Sequence, residues 1–171
     1  MAPIDANVRA RATDIKLLVL DVDGILTDGR LYFAANGDEL KSFHVRDGSG
    51  IVQALRRGIQ IAVISGRSSM AVTRRMGELG VQHVFQGIEQ KQLALQQLLS
   101  DMRIAPNALA CMGDDAADIP IMKQARLAIS VPDAHASAKQ CAHYITQANG
   151  GHGAVREVCD LLIEVRQGEP A

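Results

Sequence analysis

Two aspartates separated by one residue follow an apolar run near the start of the chain. Residues 17–20 are all leucine or valine, and Asp21 and Asp23 come directly after them. Residues i and i+2 of an extended chain point to the same side, so the two carboxylates are expected to face each other. Carboxylates held together raise each other's pKa unless a cation lies between them, and Mg²⁺ prefers such oxygen ligands. The spacing therefore predicts a metal-assisted reaction at this strand end.

Further polar residues follow two later apolar runs and open one later helix. They are Ser65, Gly66 and Arg67 after the second run, Asp114, Asp115 and Asp118 after residues 109–112, and Lys91 in a first helical turn. Ligands of open parallel sheets bind beyond the carboxyl ends of the strands, so these residues are expected to meet there. Carboxylates, a hydroxyl and an ammonium together suit a phosphoryl group, whose transition state needs cations and hydrogen-bond donors.

The elements that must position these residues alternate between strand and helix along the whole chain. This order predicts an α/β fold, a doubly wound parallel sheet of Rossmann-like type, within one domain at 1–171. A β-hairpin insertion is expected at about 29–45, with Asn36-Gly37 as a two-residue turn that has positive φ at both positions. A helix is expected from about residue 51 to Arg57. The C-terminal tail, about 150–171, is expected to begin with a flexible glycine-rich link.

The composition describes an ordinary globular protein. The 171 residues are 47% hydrophobic and carry a formal charge of −1, which does not favour nucleic-acid binding. No apolar run is long enough to span a membrane, and residues 1–5 lack the layout of a secretory signal. Three widely spaced cysteines indicate neither a disulfide framework nor a zinc site, and they suit a reducing cytoplasm.

The polar sets resemble the four motifs of the haloacid dehalogenase superfamily of phosphatases. The matching residues, in the family's order, are Asp21-Val22-Asp23-Gly24, then Ser65, then Lys91, then Gly113-Asp114-Asp115 with Asp118. The resemblance implies that Asp21 is the nucleophile, forming an aspartyl-phosphate, and that Asp23 is the general acid and base. It also implies a Mg²⁺ ion bound by the carboxylates of Asp21 and Asp114 and by the backbone carbonyl of Asp23.

The remaining site residues take supporting roles under the same resemblance. Asp115 and Asp118 are expected to orient Lys91 and metal-bound waters, and Ser65 and Lys91 to hold the phosphate oxygens. Gly66, Arg67 and Arg46 are candidate substrate contacts. Residues 27–48 and 150–157 further resemble the members that act on acid sugar phosphates. Arginine suits such a substrate because it binds carboxylates in a bidentate manner, and Lys41 and Arg156 are further candidates.

Too few residues separate the motifs to hold the cap domain that many members of the superfamily carry. A bare site leaves the aspartyl-phosphate open to bulk water, so closure is expected to come from neighbouring subunits. The resemblance implies a homotetramer in which subunits cover each other's active sites.

Several alternatives are open at this point. Ser65 and Asp115 could be helix caps, and Lys91 and Arg67 could be ordinary surface residues. The substrate could be an eight-carbon acid sugar phosphate, used in lipopolysaccharide biosynthesis, or a nine-carbon one from a sialic-acid-like pathway. A phospho-accepting receiver and a non-catalytic oligomerising domain are further possibilities. The lack of an acceptor aspartate on a middle strand disfavours the receiver, and the intact aspartates disfavour the non-catalytic domain.

Overall fold

The computed structural model describes residues 4–168. Its strands are β1 (Leu17–Leu20), β2 (Tyr32–Phe33), β3 (Glu39–Leu40), β4 (Gln60–Ile64), β5 (His83–Phe85), β6 (Leu109–Met112), β7 (Leu127–Ser130) and β8 (Tyr144–Ile145). Six of them form one parallel sheet in the order β5-β4-β1-β6-β7-β8, and β2 pairs with β3 as a separate antiparallel ribbon. The predicted doubly wound parallel sheet with a β-hairpin insertion is confirmed.

Helices cover both faces of the sheet. They are α1 (Ala6–Ala12), α2 (Val45–Arg56), α3 (Met70–Leu79), α4 (Lys91–Met102), α5 (Ile119–Met122), α6 (Ala136–Cys141) and α7 (Ala154–Gln167). Short 3₁₀ turns precede β6 and α5, at Pro106–Ala108 and Ala116–Asp118. Within residues 4–168, no helix is long and apolar enough to cross a membrane.

Strand β1 explains why the first apolar run shows no alternation. Leu18 and Leu20 pack into one hydrophobic cluster with α1, α2, α3 and α7, whereas Leu17 and Val19 pack into a second cluster with α4 and α5. All four side chains have no exposed surface. A strand buried on both faces carries apolar residues at every position, which is the pattern of a central strand in a parallel sheet.

Helix α2 begins earlier than the sequence indicates. It starts at Val45 instead of near residue 51, and it includes Gly48 and Gly50. A Cβ added at Gly50 would lie 3.1 Å from the Cα of Arg156, so glycine allows α2 to lie close against α7. Glycine destabilises a helix by about 1 kcal/mol relative to alanine, which is why the sequence pattern predicts a later start for α2. The packing of α2 in the folded protein outweighs this cost.

The hairpin turn also differs from the prediction. Ala34 N donates to Asp38 O (2.9 Å) and Gly37 N donates to Ala34 O (2.9 Å), which defines a three-residue loop. Gly37 has a φ of 89°, but Asn36 is outside the positive-φ region, so the predicted two-residue turn is wrong. The geometry is that of a type I turn followed by a glycine in the left-handed region.

The predicted flexible link at residues 150–153 is instead packed against the loop that follows β1. Gly151 N donates a hydrogen bond of 2.9 Å to the carbonyl oxygen of Ile25. Helix α7, which its apolar spacing predicted, then packs against α2. The last three residues of the predicted tail lie outside the described residues.

Candidate active site

Three carboxylates meet at the carboxyl ends of the neighbouring strands β1 and β6. The two strands pair in register, Leu20 opposite Met112, so Asp21 and the loop that begins at Gly113 leave the sheet side by side. Asp21, Asp114 and Asp118 each offer an oxygen within 4.8 Å of the others. These three residues therefore meet at the carboxyl edge of the sheet, as the sequence predicts.

Lys91, at the start of α4, is the cation of this group. Its Nζ donates to Oδ1 of Asp21 (2.7 Å) and to Oδ1 of Asp118 (2.6 Å), and the lysine is only 6% exposed. The other oxygen of Asp118 accepts hydrogen bonds from the backbone N–H groups of Asp114 (3.1 Å) and Asp115 (3.2 Å). Asp118 thus fixes Lys91 and the loop that carries Asp114. We call Asp21, Lys91, Asp114 and Asp118 the inner cluster.

Asp115 lines the same cavity as the inner cluster but does not contact Lys91. Its side chain is exposed, and Oδ1 accepts a 2.7 Å hydrogen bond from the backbone N–H of Ala116. It forms a capping box with Asp118 at the 3₁₀ turn, while the ion pairs of Lys91 are with Asp21 and Asp118. Asp115 therefore acts as a cap in this structure, and its predicted role toward metal-bound waters stays a prediction.

The inner cluster carries more negative charge than Lys91 can balance. Burial, and then the charge of Asp118, raises the pKa of Asp21 to about 6, although Lys91 acts in the opposite direction. Burial, followed by the charges of Asp21 and Asp118, raises the pKa of Asp114 to about 7. Burial lowers the pKa of Lys91, but the two carboxylates outweigh it and the net shift is upward.

This donor set fits a magnesium ion. Carboxylate oxygens are the ligands that Mg²⁺ prefers, and a divalent charge removes the repulsion that raises both pKa values. Asp21 and Asp114 are the carboxylates available to such an ion, because Asp118 has one oxygen on Lys91 and the other on two backbone N–H groups.

Strand β4 brings Ser65, Gly66 and Arg67 to the same edge from the other side of β1. Ser65 is 2% exposed, and its Oγ accepts a 3.3 Å hydrogen bond from the backbone N–H of Arg67. All three residues line one cavity of about 360 Å³ together with the inner cluster and Asp23. The cavity thus joins a hydroxyl and a guanidinium to the acidic centre.

Lys41 of the hairpin forms an ion pair with Asp23. Lys41 Nζ contacts Oδ1 of Asp23 and lies 2.7 Å from Oε1 of Glu39, and Glu39 Oε2 lies 2.6 Å from Arg67 Nη2. Arg67 Nε is 3.6 Å from Oδ2 of Asp23. Burial alone would lower the pKa of Lys41, but Asp23 and Glu39 raise it above its usual value. We call Asp23, Glu39, Lys41 and Arg67 the outer cluster.

Glu39 was not among the residues that the sequence singled out. Glu39 and Lys41 flank Leu40 with a spacing of two, which places both side chains on one side of β3. The same spacing argument that selected Asp21 and Asp23 could have selected this pair.

Two predicted substrate contacts lie elsewhere. Arg46 is exposed in the first turn of α2 and does not line the cavity. Arg156 Nε pairs with Asp160 of its own helix, at 2.8 and 2.7 Å from the two carboxylate oxygens, and its Nη1 faces Ser49 of α2. Within one chain these two arginines do not reach the cavity, and contact with a substrate bound by a neighbouring subunit stays a prediction.

Known proteins match both the sequence and the fold. Residues 84–158 match the profile of the haloacid dehalogenase-like hydrolases. The chain is 48% identical, over 94% of its length, to 3-deoxy-D-manno-octulosonate 8-phosphate phosphatase KdsC of Escherichia coli strain B / BL21-DE3, of which 86% is covered. The phosphatase of the same name from Yersinia pestis has a crystal structure with a TM-score of 0.94 and 41% identity, covering 96% of this chain and 89% of that one.

A further structure, from Moraxella catarrhalis, contains a magnesium ion, a phosphate ion and a KDO molecule. It has a TM-score of 0.93 and 40% identity, and it covers 96% of this chain and 95% of that chain. A parallel sheet with acidic residues at the ends of β1 and β6 and a lysine at the start of α4 defines a haloacid dehalogenase-like hydrolase. Within that class, the chain belongs to the KdsC family of phosphatases.

Proposed function

We propose that the chain is a Mg²⁺-dependent phosphatase that hydrolyses 3-deoxy-D-manno-octulosonate 8-phosphate to the free sugar acid and phosphate. The inner cluster carries the proposal, because a buried nucleophilic carboxylate meets a second carboxylate and an ammonium at 2.7 Å. The cavity of about 360 Å³ in front of it can admit a phosphate group with part of a sugar. The similarity to phosphatases named for this substrate covers 94% of the chain.

Asp21 attacks the phosphorus atom in this mechanism, and the bond from phosphorus to the sugar oxygen breaks. Asp23 gives a proton to that oxygen as the sugar leaves. A water molecule then attacks the aspartyl-phosphate, Asp23 takes its proton, and free Asp21 and phosphate are restored. A Mg²⁺ ion held by Asp21, Asp114 and the backbone carbonyl of Asp23 supplies positive charge beside the transferred group.

Three other side chains bind and orient the substrate in this proposal. Lys91 and Ser65 bind the non-bridging oxygens of the transferred phosphoryl group, and both are almost fully buried beside Asp21. Arg67 contacts the sugar acid at the mouth of the cavity, where 47% of its side chain is exposed. Gly66 lines the same cavity and is a further candidate substrate contact.

The test is phosphate release from a panel of acid sugar phosphates with eight and nine carbons, with and without Mg²⁺. We expect the eight-carbon substrate to be preferred, and both EDTA and Asp21→Asn to abolish turnover. Asp14→Asn is the matched control, because it makes the same change at the opposite end of β1 on a side chain that is 70% exposed. Turnover that survives in Asp21→Asn would exclude the covalent mechanism, and a nine-carbon preference would reassign the substrate.

We further propose that the chain is a cytoplasmic homotetramer whose subunits cover each other's cavities. The hairpin exposes Leu31 (47%), Tyr32 (40%), Phe33 (64%) and Leu40 (56%), and an apolar surface of this kind favours association. The three cysteines are free thiols, as suits a reducing compartment. Sedimentation equilibrium of the wild type and of Phe33→Ser tests the assembly. A wild-type monomer with full activity would contradict it.

A further inference from the structure

The glycine-rich segment before α7 lies directly against the loop that follows Asp23. A Cβ added at Gly150 would lie 1.8 Å from the carbonyl oxygen of Gly24, and one at Gly151 would lie 2.5 Å from the backbone nitrogen of Asp28. Both contacts are with backbone atoms, so no side-chain rotation could relieve them. The two backbones are also tied by the hydrogen bond from Gly151 N to Ile25 O (2.9 Å).

Gly24 in turn lies against a residue of the inner cluster. It has a φ of +86°, and a Cβ added there would lie 2.1 Å from Oδ2 of Asp114. Gly24 is therefore packed closely against both Gly150 and the Asp114 carboxylate. A displacement of Gly24 also moves the peptide bond that contains the carbonyl oxygen of Asp23.

The glycine-rich segment is anchored, so it cannot easily yield to such a displacement. Asp47 of α2 is 2% exposed and accepts hydrogen bonds from Gly153 N (3.3 Å) and Arg156 N (2.7 Å) at the start of α7. Asp47 therefore caps the N-terminus of α7 from another helix, because the N-cap residue Gly153 has no side chain that could do so. Gly150 N donates to Asp133 Oδ1 (3.2 Å), which holds the segment at its other end.

We propose that Gly150 is a positioning residue for the metal site: it sets the place of Gly24, and through Gly24 the places of the Asp114 carboxylate and the Asp23 carbonyl. The absence of a side chain at Gly150 allows the loop to approach α7, and Asp47 keeps α7 in place behind it. This proposal rests on the proposed Mg²⁺-dependent function, and it assigns a part in that function to a residue far from the cavity in sequence.

The test is isothermal titration of the metal-free protein with Mg²⁺ alone, for the wild type and Gly150→Ala. Gly150 is outside the positive-φ region, so alanine adds only the steric conflict with Gly24. We expect the Mg²⁺ dissociation constant to rise about tenfold or more, as it does when partners that orient metal ligands are changed. We also expect kcat to stay lowered at saturating Mg²⁺, because Asp23 remains displaced.

Gly77→Ala is the matched control, since a Cβ at this position in α3 meets nothing within 4 Å. Asp47→Asn is a second variant that loosens the segment without touching Gly24, and we expect a smaller rise in the dissociation constant. An unchanged constant in folded Gly150→Ala would overturn the proposal, and if that variant does not fold, an unchanged constant in Asp47→Asn would overturn it. A wild type that does not bind Mg²⁺ would instead refute the proposed function.

Discussion

Lys91→Met tests whether one ammonium group holds the inner cluster together. The lysine is 6% exposed and Asp118 is 1% exposed, so the substitution leaves two carboxylates without their cation in a buried site. Removing one partner of a buried ion pair costs about 3–5 kcal/mol. We expect a loss of this size in the free energy of unfolding at pH 7.5, measured by urea denaturation in EDTA.

The loss is expected to depend on pH. The pKa of Asp21 is about 6 in the wild type, and Lys91 opposes its rise. The pKa of Asp21 should therefore be still higher in Lys91→Met. An acid whose pKa is raised on folding loses stability as the pH rises from its unfolded value through its folded value. The destabilisation should therefore be roughly half as large at pH 5 as at pH 7.5, because Asp21 is then protonated in the folded variant.

Magnesium and a surface variant complete this experiment. Mg²⁺ should raise the urea midpoint of Lys91→Met more than that of the wild type, because no ammonium then repels the ion. Lys123→Met is the matched control on an exposed lysine, with an expected effect within about 0.5 kcal/mol. A Lys91→Met loss equal to that of the control, or equal at both pH values, would refute the assigned charge balance.

Two further predictions concern the metal and the hairpin. The affinity of the wild type for Mg²⁺ should fall as the pH is lowered from 8 to 5, because protons compete at Asp114, with a pKa of about 7, and at Asp21, with a pKa of about 6. Calorimetry at several pH values checks this, and a pH-independent affinity would contradict it. Glu39→Gln should raise KM severalfold with a smaller effect on kcat, because Arg67 then loses the 2.6 Å ion pair that orients it at the cavity. The exposed Asp38→Asn in the same hairpin should leave steady-state kinetics unchanged.

The sheet and the inner cluster could be predicted from the sequence for a simple reason. The apolar runs that form β1, β4 and β6 are local signals, and a polar side chain follows each of them within two residues. Parallel strands place their carboxyl ends at one edge, so a one-dimensional pattern fixes which side chains meet. The place of Lys91 could be predicted in the same way, since it is the first residue of α4, the helix that follows β5.

The features that were not predicted depend on contacts between distant parts of the chain. Helix α2 contains two glycines that tertiary packing explains, Gly50 against α7 and Gly48 against side chains of α3. Asp47 caps α7 across more than a hundred residues. The same holds for Gly150 and Gly151, where glycines suggested flexibility but allow close backbone packing. Glycine marks both situations in a sequence, and only the neighbouring backbone distinguishes them.

The two clusters divide the charge of the site in different ways. Counted in their formal charges, the outer cluster pairs two carboxylates with two cations and is neutral, whereas the inner cluster has three carboxylates and one ammonium. Its excess of two negative charges matches one divalent ion. A dianionic phosphate is therefore repelled by the inner cluster until that charge is balanced, since Lys91 alone is already committed to two carboxylates. This charge balance predicts that Mg²⁺ binds before the phosphate ester.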